Sequence, residues 1–292
     1  GDNVTQAGGG NNTITAGSGN DLITADWGND FINAGAGNNT IQVGGGNNTI
    51  TAGAGDDQIT TEWGDDVIDV GDGNNVIHAG GGRNMITTGN GDDIIVADGT
   101  NFISVGAGND QITTTWGADT VDAGAGDDII RAGGGNNSIR GGQGNDQMIS
   151  TEWSDDTYSF VKGDGQDVVS DGGGSDTLRF DDVSSNQLWF QHLGDDLQIS
   201  VLGQGDQILV QGRPVASVAS VMAGKDLVIP ELKDALRQQT DRVLIQQAKA
   251  DIAAREVTIL GDRELPYHLL KRVMASCTAA EFGQISLAVV QK

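Results

Sequence analysis

From Ala7 the chain repeats a nine-residue phrase in which one large apolar residue stands alone among small and polar ones. The units "AGGGNNTIT", "AGSGNDLIT", "ADWGNDFIN" and "AGAGNNTIQ" follow one another, and ten of them fill 7–96 without a gap. The eleventh, "ADGTNFIS" (97–104), is one residue short, and four regular units then fill 105–140. "GGQGNDQMIS" (141–150) reads as one residue long, and "TEWSDDTYS" (151–159) closes an array of 17 units. The eighth position is Ile14, Ile23, Ile32, Ile41 and so on to Ile139, with Val121 once, and its neighbours are mostly Thr, Asn, Gln, Ser or Asp. One inward β-branched residue between outward polar ones predicts a short, half-buried strand. No nine-residue unit can hold a core of its own, so the pattern predicts a solenoid whose units stack on their neighbours.

Two further positions carry the chemistry. Glycines at positions two and four allow positive φ, so the loop can turn tightly and aim backbone carbonyls inward. Position six is Asp or Asn in every unit. Residues 1–212 hold 32 acidic groups against five basic ones, a net −27, whereas 213–292 carry +2. Of the 46 glycines, 43 also precede residue 213, so two segments of different character are joined here. A charge of −27 repels itself in a compact fold unless cations neutralise it. It also argues against nucleic-acid binding, which needs a basic surface.

This phrase resembles the calcium-binding nonapeptide of the repeats-in-toxin (RTX) family, G-G-x-G-x-D-x-U-x, with Ala often in place of the first Gly. The resemblance covers 7–159, with a cap to 212. It implies a parallel β-roll with two units per turn and Ca²⁺ held between loops of successive turns on each edge. Ca²⁺ is a hard cation that takes about six to eight oxygens from carboxylates and carbonyls, which these loops supply. Metal binding would then double as folding energy.

With two units per turn, odd and even units fall on opposite edges. On the even edge position six reads Asp21, Asn39, Asp57, Asn75, Asp93, Asp110, Asp128, Asp146. On the odd edge it reads Asn12, Asp30, Asn48, Asp66, Asn84, Asn101, Asp119, Asn137, Asp156. The Asp residues are the candidate ligands, and the run Asp93, Asp110, Asp128, Asp146 promises the best sites. Asn brings an oxygen without charge, so mixed sites are expected to be weaker; alternatively the Asn residues form amide ladders that need no metal. Trp27, Trp63, Trp116 and Trp153 all fall at position three of odd units that lack the preceding Gly. They offer either a strip for a glycan or other surface partner or covers for the neighbouring small-residue loops.

"YSFVKGDGQDVVSDGGGSDTLRF" (158–180) resembles the segment that closes RTX arrays, where Asp164, Asp167, Asp171 and Asp176 are candidates for a last calcium. Residues 186–212 alternate with period two and predict three strands in hairpins. They look like the domain that carries the secretion end of type I exported proteins. Residues 213–227 read as linker or cap extension. From Pro230 a helix is expected, with Leu232, Leu236, Val243 and Leu244 at helical spacing. Strand 256–260, a helix after Tyr267 and strand 285–290 then suggest a small α/β unit. Residues 228–292 resemble the periplasmic domain of the ExbD/TolR biopolymer-transport family, on "EVTIL", Asp262, Pro266-Tyr267, Val273-Met274 and the closing apolar strand. That resemblance implies a homodimer or a TonB- or TolA-like partner; the family's membrane aspartate has no counterpart here.

His78, His192 and His268 stand in unrelated contexts without metal-ligand spacing, and no GxGxxG-like string opens a helix after a strand. Cys277, the single cysteine, reads as a buried small residue, and no disulfide can form within the chain. No enzyme is expected. No apolar run reaches the roughly 18 residues of a membrane span, and Gly1 begins within a repeat, as in a piece of a longer chain. The expectation is a mainly β protein: a calcium-binding β-roll (1–159), a β cap (160–212), a linker (213–227) and a small α/β domain (228–292). It would be secreted or at the cell surface, or periplasmic if the transport resemblance governs.

Overall fold

The computed structural model describes residues 1–150, 153–184, 188–193, 196–201, 207–210, 213–217, 228–236, 256–262, 267–280 and 284–290. The chain divides into two compact units, Gly1–Asp182 and Val183–Lys292.

The first unit is a parallel β-solenoid of two facing ten-stranded sheets. One begins Val4–Ala7, Leu22–Ala25, Thr40–Val43 and the other Thr13–Ser18, Phe31–Ala36, Thr49–Thr51. Successive strands alternate between the sheets, so one turn takes two units. The register shows this directly: Ile23 pairs with Ile41, and Ile41 with Ile59, each 18 residues on. The eighth-position residues meet between the sheets, and Ile23, Ile32, Ile41, Ile50, Ile77, Ile86, Ile95, Ile112 and Ile130 are fully buried. Position one completes the core with Ala34, Ala52, Val70, Ala97 and Ala123. Small residues there let the sheets approach, because every turn must fit the same narrow cross-section. His78 lies on the outer face, as expected.

The irregular units refine the sequence reading. Asn84 pairs with Asn101, a 17-residue step that absorbs the short eleventh unit. The extra residue lies elsewhere than in 141–150. Ile130 still pairs with Met148, which is the fully buried residue there. A 19-residue step separates Ser138 from its partner Thr157, so the extra residue falls between Met148 and Thr157. The roll also runs past 159: Val168–Asp171 and Thr177–Phe180 are the last strands of the two sheets. Tyr158 takes the inward position at 0% exposure, and Phe160 stacks on Phe180 with ring centres 5.3 Å apart. Aromatic residues therefore fill the end of the core, where small ones would leave it open.

In the second unit Leu188–Leu193 pairs antiparallel with Asp196–Val201, and Gln207–Val210 with Arg213–Ser217. Leu188–Leu193, Asp196–Val201 and Gln207–Val210 are the three strands expected in 186–212, and Arg213–Ser217 adds a fourth in the segment read as linker or cap extension. Glu256–Asp262 and Gln284–Val290 pair in parallel, and Tyr267–Ala279 between them is helical. A further helix covers 230–236, where Leu232 and Leu236 are buried with Ile229, Leu269 and Cys277. The Ser276 hydroxyl accepts the Ile229 N–H at 2.8 Å. Val243 and Leu244 lie outside the described residues.

Candidate metal centre

Each loop edge is organised by position six. Its side chain turns under the loop, and Oδ1 accepts a backbone N–H from the position-six residue one turn earlier. On the even edge the Asn39 N–H donates to Asp57 at 2.8 Å, Asp57 to Asn75 at 3.1 Å, and Asn75 to Asp93 at 2.8 Å. Asp93, Asp110 and Asp128 continue the chain of bonds onto Asp110, Asp128 and Asp146. On the odd edge Asp30, Asn48, Asn101, Asp119 and Asn137 donate in the same sense. Asp and Asn are interchangeable in this role because both offer Oδ1. The amide ladder considered from sequence is therefore present, and the aspartates belong to it.

A second ladder escaped the sequence reading. Position five runs the opposite way, its N–H donating to the position-five side chain one turn earlier. Asp56 donates to Asn38 at 3.0 Å, Asn74 to Asp56 and Asp92 to Asn74, each at 2.8 Å. The available signal was that position five is Asn or Asp in most units. Tight stacking underlies both ladders. A Cβ on Gly64, at φ +148°, would lie 2.0 Å from the Gly46 carbonyl oxygen, so a side chain there would force the turns apart.

Asp and Asn differ in the other atom of the head group. Asn39 Nδ2 lies 2.8 Å from Gly37 O, 3.3 Å from Gly35 O, 3.3 Å from Ala52 O and 2.9 Å from Asp57 Oδ1. Asn48 Nδ2 repeats this with Gly46 O at 2.9 Å, Gly44 O at 3.3 Å and Asp66 Oδ1 at 3.0 Å. Where the residue is Asp, the second oxygen has no such partner except at Asp156, whose Oδ2 accepts the Ser154 hydroxyl at 3.2 Å. Oδ2 of Asp21, Asp30, Asp57, Asp66, Asp93, Asp110, Asp119, Asp128 and Asp146 is buried and without a hydrogen bond. An unsatisfied buried group costs about 1–3 kcal/mol, and more when charged. Nine together rival or exceed the roughly 5–15 kcal/mol that holds a typical domain. Something positive must meet these oxygens.

The electrostatics agree. Burial pushes the carboxyls of Asp57, Asp110 and Asp146 up to about 6 and that of Asp128 up to about 7, against hydrogen bonds from the preceding turn that pull them down. For Asp128 the adjacent Asp110 and Asp146 add to the rise. Burial likewise raises Asp66, Asp93 and Asp119. The hydroxyls of Thr61, Thr88 and Thr114 lie near enough to ease that rise, without a hydrogen bond to the free oxygen.

The candidates for one last calcium are split between the two edges. Asp167 Oδ1 accepts the Asp146 N–H and extends the even ladder, with Asp164 beside it. Asp164 also faces Arg140 at 4.0 Å. Asp176 Oδ1 accepts the Asp156 N–H and extends the odd ladder. Asp156, Asp171 and Asp176 bring carboxylate oxygens within 4.8 Å of one another, and Asp171 also accepts the Tyr158 hydroxyl at 2.6 Å. Two-fold alternation of the strands thus places Asp164 and Asp167 on one edge and Asp171 and Asp176 on the other.

The Trp line does lie on the odd edge, with Trp27, Trp63, Trp116 and Trp153 exposed. The indoles of Trp27, Trp63 and Trp153 lie over glycines one turn on. A Cβ on Gly45 would come 2.8 Å from the Trp27 ring, and one on Gly81 would come 2.6 Å from that of Trp63. Covering of small-residue loops is thus what the geometry shows.

Residues 6–41, 33–68, 42–77, 69–99, 96–130 and 113–148 match the family described as RTX calcium-binding nonapeptide repeat (4 copies). RTX repeats, which hold Ca²⁺ between their loops, are therefore present across 6–148. No curated protein matches the chain. Nothing found supports an ExbD/TolR domain in 228–292. The position-six carboxylates fit Ca²⁺, since their buried, partnerless Oδ2 atoms would supply charged oxygen ligands and a dication would offset the cost of burying them.

Proposed function

We propose that the chain is a non-enzymatic, calcium-stabilised β-roll module of a secreted or cell-surface protein. The partnerless Oδ2 atoms of nine buried aspartates carry this reading. Asp21, Asp57, Asp93, Asp110, Asp128 and Asp146 would hold Ca²⁺ on the even edge, and Asp30, Asp66, Asp119 and Asp156 on the odd. Asp164 and Asp167, and Asp171 and Asp176, would serve the last turns of the two edges. The ion supplies positive charge where the fold has buried carboxylates, so a compartment rich in Ca²⁺ favours the roll and a poor one leaves it strained. That dependence suits a chain that folds after export. Calcium titration of the metal-free chain, followed by far-UV circular dichroism and calorimetry, tests it. A gain of β structure with saturable uptake supports the reading, and a spectrum indifferent to both Ca²⁺ and EGTA defeats it.

A second reading gives 228–292 a role in an envelope transport assembly, through a homodimer or a TonB- or TolA-like partner. Its support is the order strand, helix, strand at Glu256–Asp262, Tyr267–Ala279 and Gln284–Val290. Pull-down of such a partner by the full chain, lost on deletion of 228–292, would favour it. A glycan or surface partner along the four Trp residues has only their exposure in its favour.

A further inference from the structure

We infer that each position-six Asn is a built-in substitute for Ca²⁺, so the sequence itself sets which loops take metal and which are closed without it. The inference rests on the calcium reading above and says how many ions the roll accepts and where. Its starting point is the crowding around the Asn amide nitrogen. Asn39 Nδ2 has four oxygens within 3.3 Å: two glycine carbonyls of its own loop, the Ala52 carbonyl and Asp57 Oδ1 of the next turn. An amide NH₂ has two protons to donate. Four oxygens converging on one point exceed what it can serve and make instead the beginning of an oxygen shell for a cation. Asn75 and Asn137 sit in equivalent cradles, bonded to Gly73 and Gly135 at 2.9 and 2.8 Å.

Asp and Asn have the same shape and use Oδ1 identically in the ladder. The remaining head-group atom therefore faces the same loop carbonyls in both. In an Asn loop that atom is a donor and the oxygens are met. In an Asp loop it is a buried acceptor, and at nine aspartates that Oδ2 has no hydrogen bond. One atom, N or O, thus decides whether a loop is closed by the chain or by an ion.

The two kinds of loop are distributed by whole turns in the first half. Asn39 and Asn48 share one turn, Asp57 and Asp66 the next, and Asn75 and Asn84 the one after. Every Asp turn there is held between turns that need no metal.

The test counts ions on the full chain by native mass spectrometry at saturating Ca²⁺ and measures melting in EGTA. Asn48→Asp is expected to bind one more ion per chain and to melt lower without metal. Asp57→Asn is expected to bind one fewer and to melt higher without metal, so it also covers the case in which the first variant folds poorly. If the unaltered chain binds Ca²⁺ but both variants bind the same number as it does, the inference is overturned and the calcium reading stands. If the unaltered chain binds none, both fall together.

Discussion

The two halves of the roll share a backbone and differ in how they handle charge. Through residue 87, turns of paired Asn alternate with turns of paired Asp, so each buried carboxylate has an amide above and below it. From 93 to 146 the even edge stacks Asp93, Asp110, Asp128 and Asp146 without interruption. Asp57, between two Asn residues, owes its raised pKa of about 6 mainly to burial, with Asp56 the one charge that adds to it. Asp128, between two Asp residues, is lifted to about 7 with Asp110 and Asp146 contributing. The comparison separates two functions of one side chain. Oδ1 builds the ladder in either half, whereas the second head-group atom sets how strongly that half depends on a cation.

Making the first half resemble the second should have the largest effect. Asn39→Asp with Asn75→Asp would join Asp21, Asp57 and Asp93 into one uninterrupted column of carboxylates. Two lost amide donors, at about 1–3 kcal/mol each, predict a metal-free chain weaker by about 2–6 kcal/mol in urea melts, restored by Ca²⁺. Equal midpoints in EGTA would erase the distinction between the halves. The converse change, Asp128→Asn, relieves one charged oxygen and supplies a donor, so metal-free stability should rise by about 1–3 kcal/mol.

Acidity gives a third comparison. A carboxyl whose pKa is higher in the folded state than in the unfolded chain contributes stability below the unfolded value, near 4, that is lost as pH rises through the folded value. For Asp57, Asp110, Asp128 and Asp146 the window is about pH 4 to 7. The metal-free chain should therefore gain β structure as pH falls from 7.5 to 5, with the run containing Asp128 responding at the highest pH. A circular dichroism signal that weakens over this range would contradict the assignment. The smallest effect is expected at Trp63→Ala. Its indole is 65% exposed and its loss should cost below about 1 kcal/mol in a thermal melt, whereas a much larger loss would give the Trp edge a weight that loop covering does not explain.

Most of the roll was legible in the sequence because a nine-residue period fixes both the inward residue and the loop. Ile59 and Ile68 had to face one core, and the sorting of Asp57 and Asp66 onto opposite edges follows once two units make a turn. The position-five ladder through Asn38 and Asp56 was less visible, since its residues stand exposed and look like ordinary loop polarity. A metal-free role for Asn at position six could be read from the sequence, but not what its amide nitrogen meets. That depends on where Nδ2 points relative to Gly35 and Gly37, which spacing alone does not report. Past 159 the period fails: Asp167 and Asp176 follow steps of 21 and 20 residues from Asp146 and Asp156, so they read as a separate cap although they are the last rungs.

Hydrogen exchange of the full chain, read peptide by peptide with and without Ca²⁺, tests the central claim most directly. The account predicts that adding Ca²⁺ to the metal-free chain raises protection most across 92–146, where the carboxylates stack, and least around the paired Asn turns at 39–48 and 75–84. Protection that is unchanged by Ca²⁺, or that rises equally in every turn, would contradict it.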